Sequence, residues 1–219
     1  MPDTQPKDHH PMTSPTVLQA TDLTFNYPER ELFKQLSLTI PAGVTIIRGG
    51  DGRGKTSLIR LLAGTEQAHG GQLAINGIDL AQQAAQYKQQ VLYVDPRTDA
   101  FDQLSVPDYF ASVRARFAGF DDAALPALIE GLSLTPHAEK KLYMLSTGSK
   151  RKVYLAAAFA TGATVNLLDD PFAGLDKGSI DFVCAMLSKA NAEAAQIWMM
   201  AAYEVPEEVA HVGVIDLGE

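Results

Sequence analysis

Gly49-Gly50-Asp51-Gly52-Arg53-Gly54-Lys55-Thr56, the stretch GGDGRGKT, decides the fold. It fits G-x-x-x-x-G-K-[ST], a loop that cradles phosphate. Glycines let backbone N–H groups turn inward around phosphate oxygens, where bulky side chains would block the approach. Lys55 brings a point charge to the β- and γ-phosphates, and the Thr56 hydroxyl is a Mg²⁺ ligand, with Ser57 beside it. The flanks suit the motif. Val44–Ile47 (VTII) is a β-branched run with no polar face, as in a strand buried on both sides. Thr56–Ala63 (TSLIRLLA) has helical spacing and ends at Gly64. The start of that helix turns its positive end toward an anion.

Downstream, Val165-Asn166-Leu167-Leu168-Asp169-Asp170-Pro171 is an apolar strand closed by acids. It reads as the second half of such a site. Asp169 is placed to hold Mg²⁺, and Asp170 to act as a general base or to orient water. Val17–Leu23, Gln35–Ile40, Val91–Val94, Ile197–Met200 and Val212–Leu217 read as further strands, and Gly71–Leu80 as a hairpin turning at Asn76-Gly77. Lys150–Ala160 and Ser179–Ala195 read as helices. Between Phe101 and Tyr143 the pattern is helical, Asp121–Leu132 included, and no strand-like run appears. The expectation is an α/β nucleotide-binding domain over 17–219. It has a mostly parallel sheet, an antiparallel β part and a helical insert over about 97–150.

Composition limits the function. The 219 residues carry 18 Lys and Arg against 26 Asp and Glu, a formal net charge of −8. That argues against a nucleic-acid partner, which needs a basic face. The one cysteine, Cys184, permits no internal disulfide and reads as a small buried residue. No apolar run approaches the ~20 residues that span a bilayer. Residues 1–16, polar and proline-rich, read as a disordered leader and not a secretory signal.

Leu145-Ser146-Thr147-Gly148-Ser149-Lys150-Arg151-Lys152 narrows the reading. It resembles the ABC signature, L-S-x-G followed by polar and basic residues, and is similar to that of single-domain ATPases of the ABC-2 and haem-exporter sort. The motif order also matches that family: phosphate loop, helical insert, signature, acidic strand. Ala173-Gly174-Leu175-Asp176 resembles the family's D-loop, and Tyr27 its adenine-stacking aromatic residue. The resemblance implies a P-loop NTPase of ABC type that uses ATP and Mg²⁺. It implies a homodimer or heterodimer in which Ser146 and Gly148 meet the nucleotide of the opposite subunit. It also implies membrane permease subunits as partners and a peripheral place on the cytoplasmic face of the plasma membrane.

Three positions depart from the family pattern. By count from Val91–Val94, Pro96 stands where a glutamine is expected, leaving Asp95 or Asp99 as substitutes and Gln103 further along. Asp170 replaces a glutamate one methylene longer. Ala202 stands where a histidine follows the strand Ile197–Met200. The elements for binding are kept and those for hydrolysis are altered. The leading expectation is therefore an ATP-binding transporter subunit with a catalytically degenerate site. A nucleotide-dependent regulatory module with little hydrolysis and a soluble non-transport ABC ATPase remain as alternatives. The substrate is not encoded in these motifs, and the signature's resemblance to that of exporters favours export over import.

Overall fold

The computed structural model describes residues 16–218; the expected leader falls almost wholly outside them. Among the described residues, nine strands build two sheets. The first is antiparallel and contains β1 (Val17–Tyr27), β2 (Arg30–Pro41), β4 (Gly70–Ile75) and β5 (Ile78–Asp79), in the order β2-β1-β4-β5. The second is parallel and contains β3 (Gly43–Arg48), β6 (Val91–Val94), β7 (Val165–Asp169), β8 (Ile197–Ala201) and β9 (Gly213–Asp216), in the order β6-β7-β8-β3-β9. The β4–β5 hairpin turns at Asn76 and Gly77, both with positive φ (50° and 82°), the geometry that matches the twist of paired strands.

The helices are α1 (Lys55–Leu62), α2 (Ala84–Gln89), α3 (Val106–Arg116), α4 (Leu125–Gly131), α5 (Thr147–Ala160) and α6 (Lys177–Glu193). Apolar side chains alternate across the parallel sheet. Val44, Ile46, Leu168, Trp198 and Met200 face a core formed with α3, α4, α5 and α6. Ile47, Leu167, Ile197, Met199 and Ala201 face a second core with α1 and the antiparallel sheet. Both faces are thus covered, which is why these strands are continuous apolar runs in the sequence. Cys184 is buried in the first core.

Local chemistry sets the helix boundaries. Ser146 caps α5, its Oγ accepting the Ser149 N–H at 3.1 Å, so that helix starts three residues before the expected Lys150. Asp176 caps α6 through the Ser179 N–H at 3.0 Å, so that helix too begins early. Asp121 instead accepts the N–H groups of Ala123 and Ala124, at 2.9 and 3.1 Å. That turn shortens the helix expected over Asp121–Leu132 to α4. Helix α2 has a single buried residue, Tyr87, whose hydroxyl donates to Leu62 O at 2.8 Å.

Candidate nucleotide site

The parallel strands end together, and the loops after β3, β6, β7 and β8 meet around one cleft of about 470 Å³. The loop after β3 is the glycine-rich stretch. Gly54 precedes α1 with φ 96°, and a Cβ there would approach the Phe33 ring to 3.0 Å, so only glycine suits the bend. Among the described residues no side chain caps α1, and its first turn carries no acid. Its leading N–H groups are therefore available to an anion. Lys55 Nζ donates to Gly49 O at 2.6 Å and Gly50 O at 3.0 Å, drawing the loop around its ammonium group.

Thr56 lies directly opposite the end of β7, where its hydroxyl donates to Asp169 Oδ1 at 3.2 Å. Asp169 is 6% exposed, and burial raises its pKa against the opposing pull of the Thr56 hydrogen bond and the Arg97 charge. Two hard oxygen donors, a hydroxyl and a carboxylate, sit side by side at the mouth of a phosphate loop. That donor set fits Mg²⁺, which is bound through one or two carboxylates together with substrate phosphates.

Asp170 has left-handed backbone (φ 52°), a conformation that short Asp and Asn side chains tolerate better than most. Its N–H donates to Ala201 O at 2.6 Å, which fixes it on the cleft wall. Tyr27, 41% exposed, closes one end of the cleft, its hydroxyl 3.2 Å from Ser57 Oγ. Tyr27, Asp51, Gly52, Gly54, Lys55, Thr56, Ser57, Asp169 and Asp170 all line this space. The Arg53 side chain does not, and Gly49 and Gly50 contribute the carbonyls that hold Lys55. Ser146 and Gly148 lie apart from it.

The altered positions are also resolved. Ala202 is buried on the cleft wall beside Tyr203, and His211 is elsewhere, with Nδ1 3.0 Å from Val209 O. After β6, the side chain in the cleft is Arg97, not Pro96. Asp95 faces a neighbouring groove, 3.7 Å from the Arg60 guanidinium. Asp99 and Gln103 do not line the cleft. Arg97 and Arg30 are the lining cations that the motifs leave unmarked. The available signal for Arg97 is that it is the lone basic residue between Lys88 and Arg114.

The signature segment is held by its own chain. Gly148 packs so closely that a Cβ there would lie 2.2 Å from Gly174 O. Arg151, buried, donates to Ala173 O, and Lys152 pairs with Asp176. The hydrogen bond from Lys152, then that from the Ser179 N–H, holds the Asp176 carboxyl well below the usual carboxylate range. A lowered folded-state pKa gives stability that is fully present above the unfolded value of ~3.9 and is lost as pH falls toward the folded one. Asp176→Asn should therefore weaken the neutral-pH protein slightly and flatten its loss of stability below about pH 4. Thermal melts from pH 7 to 2 check this; parallel acid limbs for the two chains would refute it.

The family model described as ABC transporter matches residues 33–173, most of the chain. The chain belongs to the ABC transporter family. It is similar to the cytochrome c biogenesis ATP-binding export protein CcmA of Shewanella oneidensis, 31% identical over 167 residues, 76% of this chain and 77% of that protein. The protein of the same name from Yersinia pestis is 29% identical over 182 residues, 83% of this chain and 84% of that protein. A solved ATP-binding subunit of an ABC transporter superposes with TM-score 0.76 at 22% identity, covering 85% of this chain and 79% of that one. The cbiO1 subunit of Clostridium perfringens, part of the ABC transporter complex cbiONQ, gives 0.65 at 20% identity, covering 87% and 80%. The chain is thus an ATP-binding subunit of an ABC transporter. ATP, Mg²⁺ and ATP hydrolysis are general to such subunits, which act with membrane permease components. No helix among the described residues is long and apolar enough to cross a membrane.

Proposed function

We propose that this chain binds MgATP in the cleft lined by Tyr27, Lys55, Thr56, Ser57, Asp169 and Asp170, and that its own site turns ATP over slowly while driving an export-type permease. One observation carries the reading. Tyr27, Lys55, Thr56, Ser57, Asp169 and Asp170 line one wall, whereas the wall beyond β8 is Ala202 and Tyr203, with no histidine. In this reading the N–H groups of Asp51, Gly52 and Gly54 surround the phosphates with those at the start of α1, while the Gly50 and Arg53 N–H groups brace the loop on Gly218 O and Gly50 O; Lys55 neutralises the terminal charge. Tyr27 stacks on adenine, and Asp170 orients the attacking water. Thr56 and Asp169 hold Mg²⁺, which supplies positive charge at the phosphate oxygens. Ser146, at the start of α5, and Gly148 serve the nucleotide of a second subunit, in a homodimer or heterodimer.

Residues 17–219 then act as one nucleotide-binding domain, with 97–150 as its helical subdomain and the membrane partner at the cytoplasmic face. A groove of about 360 Å³ between α1 and that subdomain supports a docking surface there; Tyr93, Phe101, Tyr109 and Tyr154 line it. The Tyr154 hydroxyl is buried without a partner among the described residues. Export as the direction rests on the printed names of the CcmA relatives.

Hydrolysis is the test. The purified chain should bind ATP yet turn it over below the ~1 s⁻¹ that marks the lower end of ordinary enzymes. Asp170→Asn, which keeps the left-handed backbone and removes the charge, should abolish the residual rate. Asp170→Glu should not restore it, because the position of Ala202 remains silent. A parent rate within the ordinary range would overturn the slow-site reading. A parent rate indistinguishable from that of Asp170→Asn would favour the second reading, a regulatory module that binds without hydrolysing, to which the alanine at 202 also points.

A further inference from the structure

Arg97 lies on the cleft wall with Lys55, Thr56, Asp169 and Asp170, outside every nucleotide-binding motif of the chain. Its place is imposed by the turn after β6. The Asp95 carboxylate accepts the Arg97 N–H at 2.9 Å and is itself drawn toward Arg60, 3.7 Å away. With Asp95 turned to the neighbouring groove, Arg97 is directed into the cleft. Among the described residues its guanidinium makes no hydrogen bond and no ion pair. It is close enough to act electrostatically on its neighbours: its charge favours the ionised form of Asp169 on the cleft wall and disfavours that of Arg151 behind it.

The lining balances charge: Arg30, Lys55 and Arg97 against Asp51, Asp169 and Asp170. A triphosphate entering a neutral wall gains most from a cation with unspent donors. Arginine provides a planar fork of N–H groups that matches phosphate oxygens, which neither proline nor glutamine can imitate. Arg97 comes from the loop after β6, across the cleft mouth from the loop that carries Lys55. The two cations thus approach bound phosphates from different strands.

We propose that Arg97 is a ligand of the terminal phosphate, so that this chain distinguishes a nucleoside triphosphate from a diphosphate through a guanidinium group. The inference rests on the nucleotide reading of the cleft and adds a specificity residue to it. The contact runs directly to phosphate and not through the metal, so it persists without Mg²⁺.

The test is equilibrium binding of ATP and ADP to the full chain, in Mg²⁺ and in EDTA, for the parent, Arg97→Ala and Arg97→Lys. Charge-assisted hydrogen bonds of this kind correspond to roughly 10–100-fold in affinity. Arg97→Ala should lose that much for ATP in both buffers while ADP affinity stays within about twofold. Arg97→Lys, which keeps the charge without the fork, should fall between. If Arg97 merely screens Asp169 and Asp170, both nucleotides weaken together and the melting temperature drops, and the proposal is wrong. Unchanged ATP affinity in Arg97→Ala overturns it equally. Should the alanine chain fold poorly, the lysine chain decides, since its ATP-to-ADP ratio must still fall. A parent that binds neither nucleotide removes the nucleotide reading itself, an outcome distinct from failure of Arg97 alone.

Discussion

Lys55→Met should bind ATP on the order of 100-fold more weakly than the parent, or worse. Lys55 stands at the first position of α1, and its ammonium group donates to the carbonyls of Gly49 and Gly50, at 2.6 and 3.0 Å. One side chain therefore shapes the loop and supplies its charge. Methionine keeps the unbranched apolar stem and deletes both functions. A charge-assisted hydrogen bond from the ammonium group to phosphate is worth about 1.5–3 kcal/mol, roughly 10–100-fold in affinity, and the loosened loop adds to that loss. Lys55→Arg is not a conservative replacement, because a planar fork cannot reproduce a compact ammonium ion held between two loop carbonyls. Calorimetric titration with ATP, alongside circular dichroism to confirm folding, measures the effect. Parent-like affinity in a folded Lys55→Met chain would mean that ATP binds somewhere other than this cleft.

The second large effect is structural and sits outside the cleft. Gly148→Ala should lower the melting temperature by about 3–10 °C, the result of roughly 1–3 kcal/mol of overpacking. The added Cβ would meet Gly174 O at 2.2 Å. That atom is backbone, so no rotamer change relieves the contact; either α5 or the Ala173–Asp176 loop must shift. The same shift strains the Arg151 bond to Ala173 O and the Lys152 pair with Asp176. Limited proteolysis should accordingly cut the loop around Ala173 faster in the variant. Ser149→Ala, one residue along on the same helix, serves as the control. Coincident melts for Gly148→Ala and the parent would show that the close approach of the two segments carries no energetic weight.

The phosphate loop, the parallel strands and the order of the elements are legible because their signals are local. A strand buried on both faces is largely apolar, so VTII, VLYV, VNLL and IWMM announce themselves even with Thr45 and Asn166 among them. Helix α2 does not: six residues with one buried side chain leave no period to read. The start of β2, Arg30–Lys34, has only Leu32 and Phe33 among charged residues, no alternation to read, and is strand because β1 pairs with it across a register broken by bulges. The site divides in the same way. Lys55, Thr56 and Asp169 follow from spacing along the chain, whereas Arg97 depends on which way a turn points. Counting from β6 singles out Pro96, but the pull of Arg60 on Asp95 sets the turn and brings the next residue into the cleft. Arg30 escapes notice for a similar reason, since only the approach of β2 to the glycine-rich loop lays it over Gly52.

The three basic residues at the start of α5 have each found a partner within the chain: Lys150 with Asp102, Arg151 with Ala173 O, and Lys152 with Asp176. They are not free to drift independently over evolutionary time. A substitution that removes the carboxylate at 102 or 176 strands a cation and favours a matching change at 150 or 152, so these positions should vary in pairs among descendants of this gene. Arg151, whose acceptor is a main-chain carbonyl, has no partner side chain that could change with it, and its identity should persist after its neighbours have been exchanged.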